Sequence, residues 1–280
     1  MKKLFSILAA LLLAGCAHVF EKPGKVERMY VIECGENHVK DLSRWTPGQN
    51  VGKPFVFGDH CYLIKHARGW MLWDSGNADR LAAMPDGLTA PNGAVTAFMR
   101  KPLVESLKEI GIEPKDIRYF AMSHSHGDHT GNANLFASAL LLMQSAEYAA
   151  LFGPDAQKYG FPVANVEKLR GIQVEKLNGD FDVFGDGSVV IKSTPGHTPG
   201  HQSLFVVLPK RGPVLLTGDM AHLVGNWEND IVPGFNFDQA ASHKSIAAMK
   251  AFVKETGAQV WVNHDKAQHV LIPKAPNFVE

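Results

Sequence analysis

The chain has 280 residues, the size of one large α/β domain. Its 28 Lys and Arg balance 28 Asp and Glu, and no basic run breaks that balance, so a nucleic-acid partner is not expected. A hydrophobic fraction of 45% excludes a disordered chain, and no internal repeat or low-complexity tract is present.

Met1-Lys2-Lys3 is a basic start, followed by an apolar stretch from Leu4 to Ala14. That stretch is shorter than the roughly 20 residues a membrane-spanning helix needs. It runs into Leu13-Ala14-Gly15-Cys16, which resembles a bacterial lipobox. The resemblance implies a signal peptide over residues 1–15, cleavage before Cys16, and acylation of the Cys16 thiol and its new amino terminus. Several acyl chains anchor a protein stably where one is marginal. An ordinary secretion signal with an incidental cysteine is the alternative. Ala17, rather than aspartate, follows Cys16 and favours the outer membrane. The expected location is therefore exported and lipid-anchored, in the periplasm or outer membrane of a bacterium. Residues 16–25 read as a tether and 26–280 as the folded domain.

Val26 to Cys34 reads as a first strand and Gly35 to Pro54 as a polar loop. Phe55 to Lys65 and Trp70 to Trp73 read as two strands joined near Arg68-Gly69, ending in Asp74-Ser75-Gly76-Asn77. Ala78 to Thr96 has no clear period and reads as a long loop, of the kind that is usually functional or mobile. Phe98, Val104, Leu107 and Ile110 predict an amphipathic helix over Ala97 to Ile110. Pro102 moves its proper start inward, and Gly111 is suited to cap its end. Ile117 to Met122 is a short strand that delivers a histidine cluster at its C-terminal end, where α/β sheets place their sites. Ala139 to Met143 is a further strand, Ser145 to Phe152 a helix capped by Ser145, and Gly153 to Gly171 an insertion.

Ile172 to Leu177, Phe181 to Phe184, Val189 to Ser193, Ser203 to Leu208 and Val214 to Leu216 are short β-branched or aromatic runs bounded by turn formers. Asp238 to Thr256 carries Ile246, Met249, Phe252 and Val253 on one helical face. Gln259 to Val262 is the last strand, followed by Asn263-His264-Asp265. Two β-rich halves, each followed by helices, predict an α/β sandwich of sheets with helices outside. Cys34 and Cys61 fall in strand-like stretches, and their spacing leaves open a disulfide or two buried thiols.

The segment Ser123-His124-Ser125-His126-Gly127-Asp128-His129 packs three histidines and a carboxylate into one turn, which suits metal ions better than a core. Catalytic zinc takes imidazole and carboxylate ligands and keeps a position for water. His124 and His126 alternate and point to one side of an extended turn. Asp128 and His129 follow where the chain turns into a helix, so the cluster splits into two half-sites. His197, in Thr194-Pro195-Gly196-His197-Thr198-Pro199-Gly200-His201, completes the first, and His264 completes the second. Asp219, in Thr217-Gly218-Asp219, is suited to bridge them. Two ions about 3.5–4 Å apart share a hydroxide and polarise a carbonyl or phosphoryl oxygen.

The order His-x-His-x-Asp-His, His, Asp, His is similar to that of the metallo-β-lactamase superfamily, over essentially all of the chain beyond the tether. Asp74-Ser75-Gly76 matches the family's Asp-Ser/Thr-Gly turn, whose aspartate supports the metal ligands from behind. The resemblance implies a four-layer αβ/βα sandwich and a hydrolase holding two zinc ions, with cobalt, iron or manganese as other candidates. It implies that His124, His126 and His197 hold one ion and Asp128, His129 and His264 the other, with Asp219 between them. The bridging aspartate argues against a true β-lactamase. Cys61-Tyr62-Leu63-Ile64, Leu107 to Ile117 leading into Ser123 to Gly131, and Thr194 to Phe205 look like the N-acyl homoserine lactone lactonases. That resemblance implies attack of a bridging hydroxide on a lactone carbonyl, with Asp128 shuttling the proton to the leaving alcohol.

Two positions depart from the family. His222 stands where a tyrosine often supports the oxyanion, and an imidazole can donate the same bond or merely line the wall. Gly127 stands where a bulky aromatic is often found, which widens the floor and admits other substrates. Trp45, Trp227, Phe235 and Phe237 suit either an acyl-chain pocket or ordinary packing, while His38, His60, His66, His201 and His243 read as structural or surface. The expected partners are a small lactone or ester and a membrane reached through the lipid anchor, with a homodimer left open. The competing functions are a phosphotriester or aryl-ester hydrolase, a glyoxalase II-like thioesterase, and a non-catalytic metal-binding scaffold lipoprotein.

Overall fold

The computed structural model describes residues 25–280. The expected signal peptide, the lipidation site Cys16 and the tether up to residue 24 lie outside the described residues. In chain order the strands are β1 (Val26–Val39), β2 (Phe55–His66), β3 (Gly69–Trp73), β4 (Leu88–Thr89), β5 (Val95–Phe98), β6 (Ile117–Ala121), β7 (Leu140–Gln144), β8 (Val174–Leu177), β9 (Phe181–Asp182), β10 (Val189–Ser193), β11 (Gln202–Leu208), β12 (Gly212–Leu216) and β13 (Gln259–Trp261). The helices are α1 (Leu103–Ile110), α2 (Gly127–Thr130), α3 (Ser145–Phe152), α4 (Val224–Glu228), α5 (Gln239–Thr256) and α6 (Lys266–His269). Among the described residues no helix is long and apolar enough to cross a membrane.

The strands form an eight-stranded sheet, β4-β5-β1-β2-β3-β6-β7-β8, and a five-stranded sheet, β13-β12-β11-β10-β9. Strand alternation sorts the side chains into layers. Met29, Val31, Tyr62, Ile64 and Trp73 of the first sheet meet Val189, Ile191, Leu204, Val206 and Leu216 of the second in a buried core. On the far face of the first sheet, Ile32, Leu63, Leu72 and Phe120 pack on Leu103 and Leu107 of α1 and Leu151 of α3. On the far face of the second, Phe205 and Leu215 pack on Ile246 and Met249 of α5. Helix, sheet, sheet and helix thus stack as four layers. The parallel strands β3, β6 and β7 are covered on both faces and carry unbroken apolar runs such as Met71-Leu72-Trp73 and Leu141-Leu142-Met143.

Several boundaries differ from the sequence reading, each for a local reason. β1 does not stop at Cys34: the register runs Glu33 to His60 and then Gly35 to Asp59, so Cys34 is the extra residue of a β-bulge and the strand continues to Val39. Gly35, with φ at 139°, accommodates that bulge instead of ending the strand. The expected 78–96 loop contains the hairpin β4–β5, and Ala97 and Phe98 pair with β1 rather than opening a helix. α1 begins only at Leu103, after Pro102, and its free N–H groups at Leu103 and Val104 donate to the Asp79 carboxylate at 2.7 and 3.3 Å. Gly111 caps α1 in the left-handed conformation, as expected. Ser145 is not a cap; it is the first residue of α3, and Gln144 precedes it without a side-chain capping bond. β9 ends at Asp182 because that carboxylate gathers the N–H groups of Phe184, Gly185 and Gly187 into a loop. Cys34 and Cys61 are joined in a disulfide, with Cα atoms 5.9 Å apart.

Candidate metal centre

The site forms at the open edge between the sheets, where β3, β6, β12 and β13 end. Asp74, just after β3, adopts a left-handed φ of 59°, unusual for a non-glycine residue. This aims its carboxylate at the histidine cluster: Oδ1 accepts the Ser123 N–H at 2.6 Å and Oδ2 accepts His129 Nδ1 at 3.0 Å. The same turn lies against the end of α2, where a Cβ at Gly131 would come within 2.3 Å of the Ala78 nitrogen. Asp74 therefore supports the cluster from behind.

His126, His197 and His264 are each fixed by an outer partner that can only accept. His126 Nε2 donates to the Tyr159 carbonyl at 3.0 Å and His264 Nδ1 to the Gly58 carbonyl at 2.7 Å. His197 Nδ1 donates to Asn236 Oδ1 at 2.9 Å, and the Asn236 amide is oriented in turn by its own donation to Ser242 Oγ. These bonds assign the tautomers and leave a lone pair on each inward nitrogen. Yet His197 Nε2 lies 3.0 Å from His126 Nδ1, with both outer nitrogens already donating. Lone pairs that close repel unless a cation sits among them.

Asp219 faces both halves of the site. Its Oδ2 is 3.4 Å from His197 Nε2 and 3.7 Å from His124 Nε2. Its Oδ1 is 2.9 Å from His264 Nε2 and 3.3 Å from His129 Nε2. Asp128 completes the second group, 3.9 Å from both His129 and His264. The seven residues thus fall into two sets, His124, His126, His197 and Asp219, and Asp128, His129 and His264, each with ligand atoms within 4.8 Å of one another. His129 Nε2 and Asp219 Oδ1 are buried without a hydrogen-bond partner, which also fits a cation. The residues therefore fit divalent metal ions, and imidazole with carboxylate suits zinc, cobalt, iron or manganese.

Without cations, protons stand in for them only on the His129 and His264 side. Burial pushes His124 and His197 well below the usual imidazole range. Burial would depress His264 too, but the Asp219 carboxylate against it raises it to about 9. Protons and ions then compete for the same atoms.

Four residues not singled out from the sequence build the supporting shell. Glu147 is fully buried and accepts the Ser125 and Gly200 N–H groups at 2.8 and 2.9 Å and the Thr198 hydroxyl at 2.8 Å, tying the His124–His126 turn to the His197 loop. Asn37 Nδ2 donates to Asp128 Oδ2 at 2.8 Å. Asn236 holds His197. Asp59 is buried, accepts the Asn77 N–H at 3.0 Å, and is pushed up to about 8 by burial. A carboxylate amid the apolar residues of α3 was the one visible signal, at Glu147.

His201 is structural: its Nδ1 faces the Thr194 carbonyl and its Nε2 accepts the Asp219 N–H at 3.0 Å. His60 and His66 are buried on Asn263 and Asp186, while His243 is exposed. A cavity of about 990 Å³ opens over the metal centre. Trp45, Phe57 and Phe235 form one wall, with Trp45 5.2 Å from Phe57 and 5.7 Å from Phe235, ring to ring. Phe237 also lines it, but Trp227 packs beside α5 and does not. His222 lies in the cavity wall, its Nε2 3.1 Å from Asp219 Oδ2 and its Nδ1 unpartnered. A Cβ at Gly127 would meet only Pro162, at 3.6 Å, so the floor there is open.

The family model of the metallo-beta-lactamase superfamily matches residues 55–262. An N-acyl homoserine lactonase, AttM, of Azorhizobium caulinodans is 32% identical over 262 residues, covering 90% of this chain and 98% of the relative. The N-acyl homoserine lactonase AiiA of Bacillus thuringiensis subsp. kurstaki is 31% identical over 263 residues, covering 91% and 99%. Among solved structures, an N-acyl homoserine lactone hydrolase with the product N-hexanoyl-L-homoserine bound at its catalytic metal center superposes with a TM-score of 0.80 at 28% identity, covering 91% of this chain and 100% of that one.

Proposed function

This chain belongs to the metallo-β-lactamase superfamily, and from that premise we propose that it opens the lactone ring of N-acyl homoserine lactones with a pair of divalent metal ions, zinc by preference. The observation that carries the proposal is the convergence of seven ligands into two sets that share Asp219. When bound, two such ions supply a water nucleophile near neutral pH and positive charge for a developing oxyanion. Asp219, turning one carboxylate oxygen to each set, would serve both. Asp128 faces the cavity and carries the proton to the departing ring oxygen, so that the alcohol leaves neutral. His222 donates from the wall to the lactone carbonyl oxygen. Trp45, Phe57 and Phe235 take up the acyl chain and exclude water around the reacting carbonyl.

The open floor at Gly127 favours a second reading, hydrolysis of bulkier aryl esters or phosphotriesters on the same ions. A pH-stat comparison of homoserine lactones of several chain lengths with a paraoxon-type ester, an aryl acetate and a glutathione thioester ranks the candidates. Lactones should turn over with the highest kcat/KM; if none opens faster than the esters, the proposal fails. Asp219→Asn should abolish hydrolysis and lower the metal content from two ions per chain, and unchanged hydrolysis would also exclude the metal mechanism.

Export and acylation at Cys16 belong to the same proposal and rest on residues 1–16 of the sequence. A membrane-bound protein that becomes freely soluble on Cys16→Ser supports it, and an unlipidated wild-type protein refutes it. Sedimentation of the purified chain decides between monomer and homodimer.

A further inference from the structure

The bulge in β1 decides which face of the sheet Asn37 occupies. Before it, Met29 and Val31 face the inter-sheet core, while Tyr30 and Ile32 face the helices. Residues opposite one another in paired strands share a face. Ile32 stands opposite Cys61, Gly35 opposite Asp59 and Asn37 opposite Phe57. Cys61, Asp59 and Phe57 are two residues apart and so lie on one face. The extra residue Cys34 therefore moves the odd-numbered positions beyond it onto the face that even-numbered ones held before. A one-residue slip in a strand exchanges its two faces, so without the bulge Asn37 would point away from Asp128.

Cys34 is bonded to Cys61. Cys34 also seats the turn that completes the contact. Asn77 N–H donates to the Cys34 carbonyl at 2.9 Å, and Asn77 Nδ2 donates to Asn37 Oδ1 at 3.1 Å. A Cβ at Gly76 would come within 2.2 Å of Cys34 Cβ, so this turn rests directly on the bulge residue. From Cys34 through Asn77 to Asn37 and Asp128 Oδ2 the hydrogen bonds are continuous.

We propose that Asn37 is the positioning residue of Asp128, and that the Cys34–Cys61 bridge is a covalent lock on the strand register that keeps it there. Without the bridge, no covalent bond ties the bulge residue Cys34 to β2. The bulge would then be free to slip and the second ion set would lose its hold on Asp128. The inference rests on the two-metal reading above but not on the lactone. Both sulfurs are fully buried, so substitution tests it more cleanly than chemical reduction.

Cys34→Ala/Cys61→Ala, Asn37→Ala and the triple variant are purified with zinc, dialysed against a weak chelator, and assayed for zinc per chain, kcat and KM on whichever substrate the wild type turns over. The wild type should keep about two ions. Asn37→Ala and the double variant should each keep about one, with kcat lowered about 10- to 100-fold and KM little changed, the range for loss of an outer-shell partner. The triple variant should be no worse than either, because both changes break one relay. A folded double variant with two ions and wild-type kcat overturns the proposal, as does a triple variant showing the product of the separate losses. If the double variant does not fold, Asn77→Ala decides: it leaves bridge and ligands in place, and full retention of both ions overturns the relay. A protein that binds two ions but opens no lactone refutes the substrate proposal alone, since the zinc count uses no lactone.

Discussion

Replacing Glu147 with alanine should loosen the metal centre without touching a ligand. The carboxylate is buried and accepts three donors from the two turns that carry His124, His126 and His197. The cavity left is lined by the backbone N–H groups of Ser125 and Gly200 and the Thr198 hydroxyl, all buried or nearly so. Each unsatisfied donor costs about 1–3 kcal/mol, and partial relaxation and water bring the total to roughly 4 kcal/mol. Against the ~5–15 kcal/mol that holds a typical domain together, this is a large fraction. For a chain of this size it corresponds to a drop in Tm on the order of 10 °C. Calorimetric melting of the metal-free wild type and variant measures it, and the metal-loaded forms should differ further, because the variant also binds ions more weakly. A metal-free Tm within about 2 °C of wild type would refute the account, since three buried bonds to a carboxylate cannot vanish at so small a cost.

The remaining predictions concern the cavity and the protons. Gly127→Phe should raise KM for bulky esters about tenfold or more while leaving short-chain lactones within a few-fold, and equal effects on both would show that the floor does not select. Asp59, at about 8 when folded, binds its proton far more tightly than in the unfolded chain, whose value is near 3.8. Stability of the metal-free protein should therefore fall as pH rises from about 4 to about 8. Asp59→Asn keeps an acceptor for Asn77 and removes that slope, so its advantage over wild type should grow by up to about 4 kcal/mol between pH 5 and pH 8 in urea titrations; a constant difference would be wrong for this group. His264, at about 9 in the metal-free protein, must lose its proton to take an ion. Zinc uptake at pH 8 should release protons, seen as a buffer-dependent heat in calorimetry, and apparent affinity should fall with falling pH; buffer-independent heats would contradict it.

The ligands were legible in the sequence because each sits at a strand end or in a short polar motif that no core would tolerate. The strands bearing them were legible for the opposite reason: runs such as Met71-Leu72-Trp73 admit little else. The supporting contacts were hidden because they join residues distant in the chain. The Asp79 carboxylate reaches α1 from 24 residues upstream, and Asn37 reaches Asp128 across 91. The bulge was hidden because a glycine after a strand reads as its end, and only pairing with β2 shows that Gly35 continues it. The hairpin β4–β5 spans two and four residues, too short for alternation to register.

The stretch from Gly153 to Gly171 illustrates how tightly substrate space and metal chemistry are joined here. Phe161, Val166 and Leu169 anchor it in the core, Lys158 and Pro162 line the cavity, and the Tyr159 carbonyl fixes the tautomer of His126. An engineer who grafts a foreign loop there to change specificity would detune the metal at the same stroke. The turn from Ala90 to Ala94 lines the same cavity, but its backbone bonds close on its own hairpin. Libraries for new substrates belong in that turn, where variation is insulated from the ions.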